Sequence, residues 1–188
     1  MTSHTVQNEE SASSDHDEHP HSGHGHANAE HHGDTLKHYL EAARVAVSVR
    51  SFAEEFVKPG MSLLDIAEKI EAEITEQGGA PAFPCNLSLN EEAAHDTPLI
   101  GDTRTLSESD VLKVDFGVHV KGHIVDQAFT VNFDNQHAKL IEAAEEALQD
   151  ALSVMRAGAN VHQVGAAIQD AIVKRGYKPV ENLCGHSL

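Results

Sequence analysis

The chain has 188 residues and a formal charge of −17, from 30 acidic against 13 basic side chains. The length allows one domain and a tail, and the acidic balance excludes a nucleic-acid partner held through a basic patch. No run of about 18 apolar residues stands ready to cross a bilayer, and no basic start followed by an apolar stretch marks a secretory signal. Two cysteines, Cys85 and Cys184, make no disulfide framework, so a cytoplasmic, reducing setting with no membrane partner is expected.

Residues 1–34 carry seven acids, no Lys or Arg, and almost no large apolar side chain. Such a segment cannot bury enough surface to offset its ordering entropy, and disorder is expected. Its eight histidines, at 4, 16, 19, 21, 24, 26, 31 and 32, form a tract of the kind that holds Zn, Ni or Cu loosely; a solvated tail with no specific role is the equal alternative. The body, 35–188, keeps 23 acids against 13 bases, a composition that also suits high salt. A first helix is expected from near Thr35 to about Val57, stopped by Pro59-Gly60. Ser62-Leu63-Leu64-Asp65 is a start signal for a second helix that ends at Gly78-Gly79. Residues 82–95 read as extended or loop structure, and a β-hairpin follows over about 110–132. A third helix spans about 136–156, with Leu140, Ile141, Ala144, Leu148, Leu152 and Met155 on one face. Gly158 breaks it, Asn160 caps a fourth helix reaching about Lys174, and Gly176 closes that one. Residues 179–188 are expected to form a short final strand. The order α-α-β-β-β-α-α-β is an α+β layout, an antiparallel sheet covered by helices.

The chemistry concentrates on the hairpin. Both arms, 111–120 and 123–131, are rich in β-branched and apolar residues, and Lys121-Gly122 supplies the turn. That turn places position 115 opposite 128. Side-chain direction repeats every two residues, so Asp115 and Asp126 point to the same side as diagonal neighbours, roughly 7–8 Å apart at Cα. Two carboxylates at that spacing suit a pair of divalent metals about 3.5–4 Å apart. A solvated strand face is the plain alternative, disfavoured because Asp is depleted in strands. His95 and His186 sit in loop or strand-end settings. Imidazole there serves as a ligand for borderline metals, moves protons, or is simply structural.

The same residues lie in five motifs in order: Pro81-Ala82-Phe83-Pro84-Cys85-Asn86, Asn90-x-x-Ala93-Ala94-His95-x-Thr97-Pro98, Gly101-Asp102, Lys113-Val114-Asp115-Phe116-Gly117 and Asn182-x-x-Gly185-His186-Ser187-Leu188. Together they resemble the type 2 methionine aminopeptidases, the archaeal and eukaryotic class, across essentially all of 35–188. The resemblance implies the pita-bread metallopeptidase fold, two similar α-β halves with a dinuclear site between them, of which this chain is the N-terminal half. It implies that Asp115 binds one metal, Asp126 bridges both and His186 is the single histidine ligand. His95 is then the catalytic, substrate-contacting histidine near the scissile carbonyl, and Phe83 part of the methionine side-chain pocket. The implied reaction removes N-terminal methionine from nascent proteins, with hydroxide activated by two divalent ions (Co, Mn, Fe or Zn) attacking the first peptide bond. Asp96 departs from the resemblance, standing where the family usually has an aromatic residue.

The resemblance also implies two glutamate ligands and a second histidine beyond the His186 motif, whereas Leu188 is two residues past His186. The expectation is therefore an incomplete site, inactive and poorly soluble in this chain alone, from a protein that is a monomer at full length. Three other readings stay open: an Xaa-Pro dipeptidase of the same fold, a non-catalytic homologue acting as an interaction module, and a metal store centred on the tail.

Overall fold

The computed structural model describes residues 25–186 and Leu188. Residues 1–24, with most of the expected disordered tail and five of its histidines, lie outside the described residues, and the tail's metal chemistry with them. In chain order the elements are α1 (Gly25–Phe56), α2 (Leu63–Glu76), β1 (Ala80–Pro81), β2 (Asn86–Leu89), β3 (Val111–Val120), β4 (His123–Asn132), α3 (Ala138–Val154) and α4 (Val161–Lys174). Among the described residues no helix is long and apolar enough to cross a membrane.

β3 is the spine of the sheet. β4 pairs with it antiparallel along its whole length, from Val111↔Asn132 to Val120↔His123. β1 and β2 share its other edge. The hairpin turn is the expected one: Lys121 and Gly122 both have positive φ, +53° and +84°, the geometry whose twist matches a two-residue hairpin. Alternation then gives β3 two unlike faces. Leu112, Val114, Phe116 and Val118 are all buried on one face. They meet α1 through a small-residue stripe, Ala42, Ala46, Val49 and Ala53, and α2 through Leu63, Ile66, Ile70 and Ile74. Small side chains on α1 let the helix approach the sheet closely enough for Gln127 Nε2 to donate to the Ala46 carbonyl at 2.5 Å. α2 starts where expected, with the Ser62 side chain accepting from the Asp65 amide.

Three expectations are corrected. α1 begins at Gly25, ten residues before Thr35, so positions 25–34 of the expected disordered segment are helical. Extending a helix already nucleated by packing adds one hydrogen bond per residue without a new nucleation cost, and Ala27, Ala29 and Glu30 are good helix formers. Next, the expected apolar face of α3 is not the buried one. Ala143, Ala147 and Ala151 are buried, while Leu140, Leu148, Leu152 and Met155 are exposed. α3 packs chiefly on α4, where small residues permit close approach. Arg175, just past the end of α4, clamps Glu142 and Glu146, one turn apart on α3. Ile141, Ala144 and Leu148 line an open cleft of about 540 Å³ facing β4. Finally, 179–188 forms no strand among its described residues. A ladder needs a neighbouring backbone to exchange N–H and C=O groups with, and Pro179 has no N–H to offer.

Phe116 is the largest fully buried side chain. Phe116→Ala is expected to destabilise the fold by about 3–5 kcal/mol, read as a fall in the urea midpoint at unchanged slope.

Candidate active site

The register Asp115↔Ala128 and Gly117↔Asp126 puts both aspartates on the sheet face turned away from α1. The parity read from the turn thus holds. Around them a cavity of about 340 Å³ is lined by Phe83, Asn86, His95, Asp115, Asp126 and His186. All five residues singled out by sequence converge there, from separate parts of the chain. Phe83 comes from the link between β1 and β2, and His95 from the loop after β2. His186 lies on the C-terminal coil, its Nε2 3.5 Å from Asp126 Oδ2. Tyr39 on α1 donates through its hydroxyl to the Leu188 carbonyl at 3.4 Å, tying that coil down.

The electrostatics suit a cation. Partial burial and the neighbouring Asp115 carboxylate push the Asp126 carboxyl up from its ordinary value, against the opposing pull of His186. Two carboxylates on one face and an imidazole beside them are a donor set for a borderline divalent ion. The set is partial. Among the described residues no three His, Cys, Asp or Glu side chains already close on one point to hold an ion. Asp115, Asp126 and His186 share the cavity without forming a finished centre. Cys85 is no additional ligand: it is fully buried, and burial, with the charges of Glu71 and Asp115, pushes its thiol up to about 12.

Sequence reasoning missed the supports. Asn86 faces Asp115 across β2 and β3, and its Nδ2 donates to Asp115 Oδ2 at 3.1 Å. Its Oδ1 accepts from Thr97 Oγ1 at 2.6 Å. A chain of two hydrogen bonds therefore runs from the His95 loop to the Asp115 carboxylate. The usable signal was an Asn inside a short strand, where it is depleted. Gly117 was quoted in a motif but given no role. A Cβ there would overlap the Phe83 ring and sit 2.9 Å from Ala82 Cβ, so the glycine makes the space that Phe83 fills. A glycine inside an otherwise β-branched strand marks such a close approach. Asp96, which stands where the family usually has an aromatic residue, pairs with Arg104.

Residues 37–188 match the family model for metallopeptidase family M24. The chain belongs to that family. The methionine aminopeptidase of Pyrococcus horikoshii is 53% identical over 149 residues, 79% of this chain and 50% of that protein. The methionine aminopeptidase of Methanothermus fervidus is 41% identical over 166 residues, 81% of this chain and 88% of that one. The M24 chain thus spans about half the length of the Pyrococcus relative. The solved methionine aminopeptidase from Thermotoga maritima aligns at a TM-score of 0.73 and 24% identity, over 82% of this chain and 65% of that one. That likeness concerns the fold, and it agrees with the expected α+β, pita-bread class.

Gly117→Ala is expected to expel the Phe83 ring from the cavity while leaving the β3–β4 ladder in place. Tryptic resistance and the far-ultraviolet spectrum should stay native, and the Phe83 ring resonances should shift. An unmoved Phe83 would refute the space-filling role of the glycine.

Proposed function

We propose that this M24 chain contributes one side of a metal-dependent site that removes N-terminal methionine from nascent proteins in the cytoplasm. The observation that supports this most is convergence: Phe83, His95, Asp115, Asp126 and His186 line one cavity although they span more than a hundred residues of sequence. Kinship with methionine aminopeptidases at 41–53% identity points to the same substrate class.

The residues divide the work. Asp115, Asp126 and His186 are the groups that would hold divalent metal, two ions in the full reading, drawn from Co, Mn, Fe or Zn. When bound, the metal supplies a water acidic enough to act near neutral pH and a Lewis acid for the carbonyl. Asn86 occupies one lone pair of Asp115, which limits how that carboxylate can rotate. Burial and the neighbouring Asp115 make Asp126 hold a proton more readily than a solvated aspartate does. Phe83 offers an apolar wall for an unbranched thioether side chain. His95, an exposed residue of the cavity lining, would hydrogen-bond the scissile carbonyl and carry a proton at its ring nitrogen.

In the metal-loaded, full-length enzyme, His95→Ala is expected to slow methionine release from a Met-Ala-Ser peptide by about 10²–10⁴-fold with metal content unchanged. Asp126→Asn should lower both activity and bound metal, because a neutral amide bridges cations poorly. Metal loss in the His95 variant would show the wrong role for that residue. Faster cleavage of an Xaa-Pro dipeptide than of the methionyl peptide would move the reading to the dipeptidase branch of the fold.

A further inference from the structure

We propose that Arg104 is a positioning residue: through Asp96 and Asp102 it latches the His95 loop to the start of α2, and so holds His95 over the cavity. The proposal rests on the reading of His95 given above and names what keeps that side chain in place.

The loop between β2 and β3 needs such a device. His95 has φ +62°, a left-handed conformation uncommon for residues with a Cβ, though His is among those that adopt it more readily. The loop is open on both sides of it. Glu91–Ala93 are exposed, and beyond the buried Pro98, Leu99 and Ile100 are 72% and 98% exposed. The residue after His95 carries the anchor. Arg104 Nη1 and Nη2 fork onto Asp96 Oδ2 and Oδ1 at 2.5 and 3.1 Å. The other edge of the same guanidinium grips Asp102, Nε at 3.0 Å and Nη2 at 2.7 Å from Oδ2. Asp102 Oδ1 also accepts from the Arg104 amide at 2.8 Å. Paired forks of this kind carry more energy and more geometric definition than a single lysine contact.

Arg104 itself stands on firm ground. Its carbonyl accepts from the Leu63 amide at 3.0 Å, and Leu106 exchanges backbone bonds with Gly60 and Met61 at 2.6 and 2.8 Å. Thr105 bridges Ser62, the N-cap of α2. Leu63 and Leu106 are both buried. On the loop side, the Asp96 carbonyl accepts from the Leu87 amide at 2.7 Å, and Thr97 passes the restraint through Asn86 to Asp115. The latch thus reaches two groups of the site, His95 next door and Asp115 two hydrogen bonds away. An ordinary surface ion pair would carry little; Arg104 is 40% exposed, but its carboxylate partners are only 21% and 10% exposed and the guanidinium contacts both at once. Arg104 holds Asp102 below the usual carboxylate range, which is the same attraction seen from the other partner.

The test compares Arg104→Gln, Arg104→Lys, Asp96→Asn and the Asp96→Asn/Arg104→Gln double variant in the full-length protein. Arg104→Gln should raise amide exchange at Leu87 and Asp96 about tenfold, with exchange in β3 and the melting temperature nearly unchanged. The His95 imidazole resonances should shift, and methionine release should fall about tenfold, mainly in kcat, with metal content intact. Lys keeps the charge but not the fork, so an intermediate value is expected. In the double variant the two changes should be strongly non-additive, because either one opens the same latch. Unaltered Leu87 exchange and an unaltered His95 spectrum in Arg104→Gln would overturn the proposal. So would exchange that quickens uniformly across the fold, or effects that simply add. If the wild-type enzyme releases no methionine, the functional reading fails, while the exchange and resonance arms still decide the latch.

Discussion

The register of one β-hairpin governs everything else in this chain. Lys121 and Gly122 occupy the two left-handed positions of the turn, and the ladder that follows pairs Gly117 with Asp126 and Asp115 with Ala128. A slip of one residue would turn an entire arm over. It would drive Asp126 into the layer occupied by Val114, Phe116 and Phe129, and lift apolar side chains onto the open face. Burial of the apolar set against α1 and α2 is what makes such a slip expensive. The hydrophobic core therefore fixes the geometry of the carboxylates without touching them.

The sheet acts as a partition between two kinds of chemistry. On one face, alanines of α1 and the isoleucines of α2 exclude water from the even-numbered residues of β3. On the other, Asp115 and Asp126 repel each other across a cavity that an imidazole and an amide help to line. The repulsion is offset in part by His186 beside Asp126 and by the Asn86 amide that donates to Asp115. Asn86 also links Asp115 to the loop that carries His95.

The loops follow a common plan. Each cavity-lining histidine on an irregular segment is matched by a tether to a regular one: His95 by the ion cluster and the Asp96–Leu87 bond, and the coil bearing His186 by Tyr39 on α1. Gly117 serves the same end by absence, leaving room for Phe83 to lie against the strand. Precision in the cavity thus comes from packing and charge outside it.

What could be read from the sequence was what local rules decide. The turn residues, the two-residue alternation of β3 and β4, the Ser62 and Asn160 caps and the glycine stops are properties of a few neighbouring residues, and the structure agrees with each. The side on which Asp115 and Asp126 lie follows from the same short-range arithmetic. The final strand was misjudged because β structure depends on a partner backbone that no local pattern announces. The α3 face was misjudged because periodicity identifies an apolar stripe but not which neighbour will cover it, and α4 favoured the alanines. The long reach of α1 reflects propagation from a packed segment. Contacts such as Arg104 with Asp96, eight residues apart and separated by an exposed tip, or His186 with Asp126, sixty residues apart, are set by how the whole chain brings those segments together. Only the tertiary structure decides those, because side-chain charge has no periodicity from which its partner can be read.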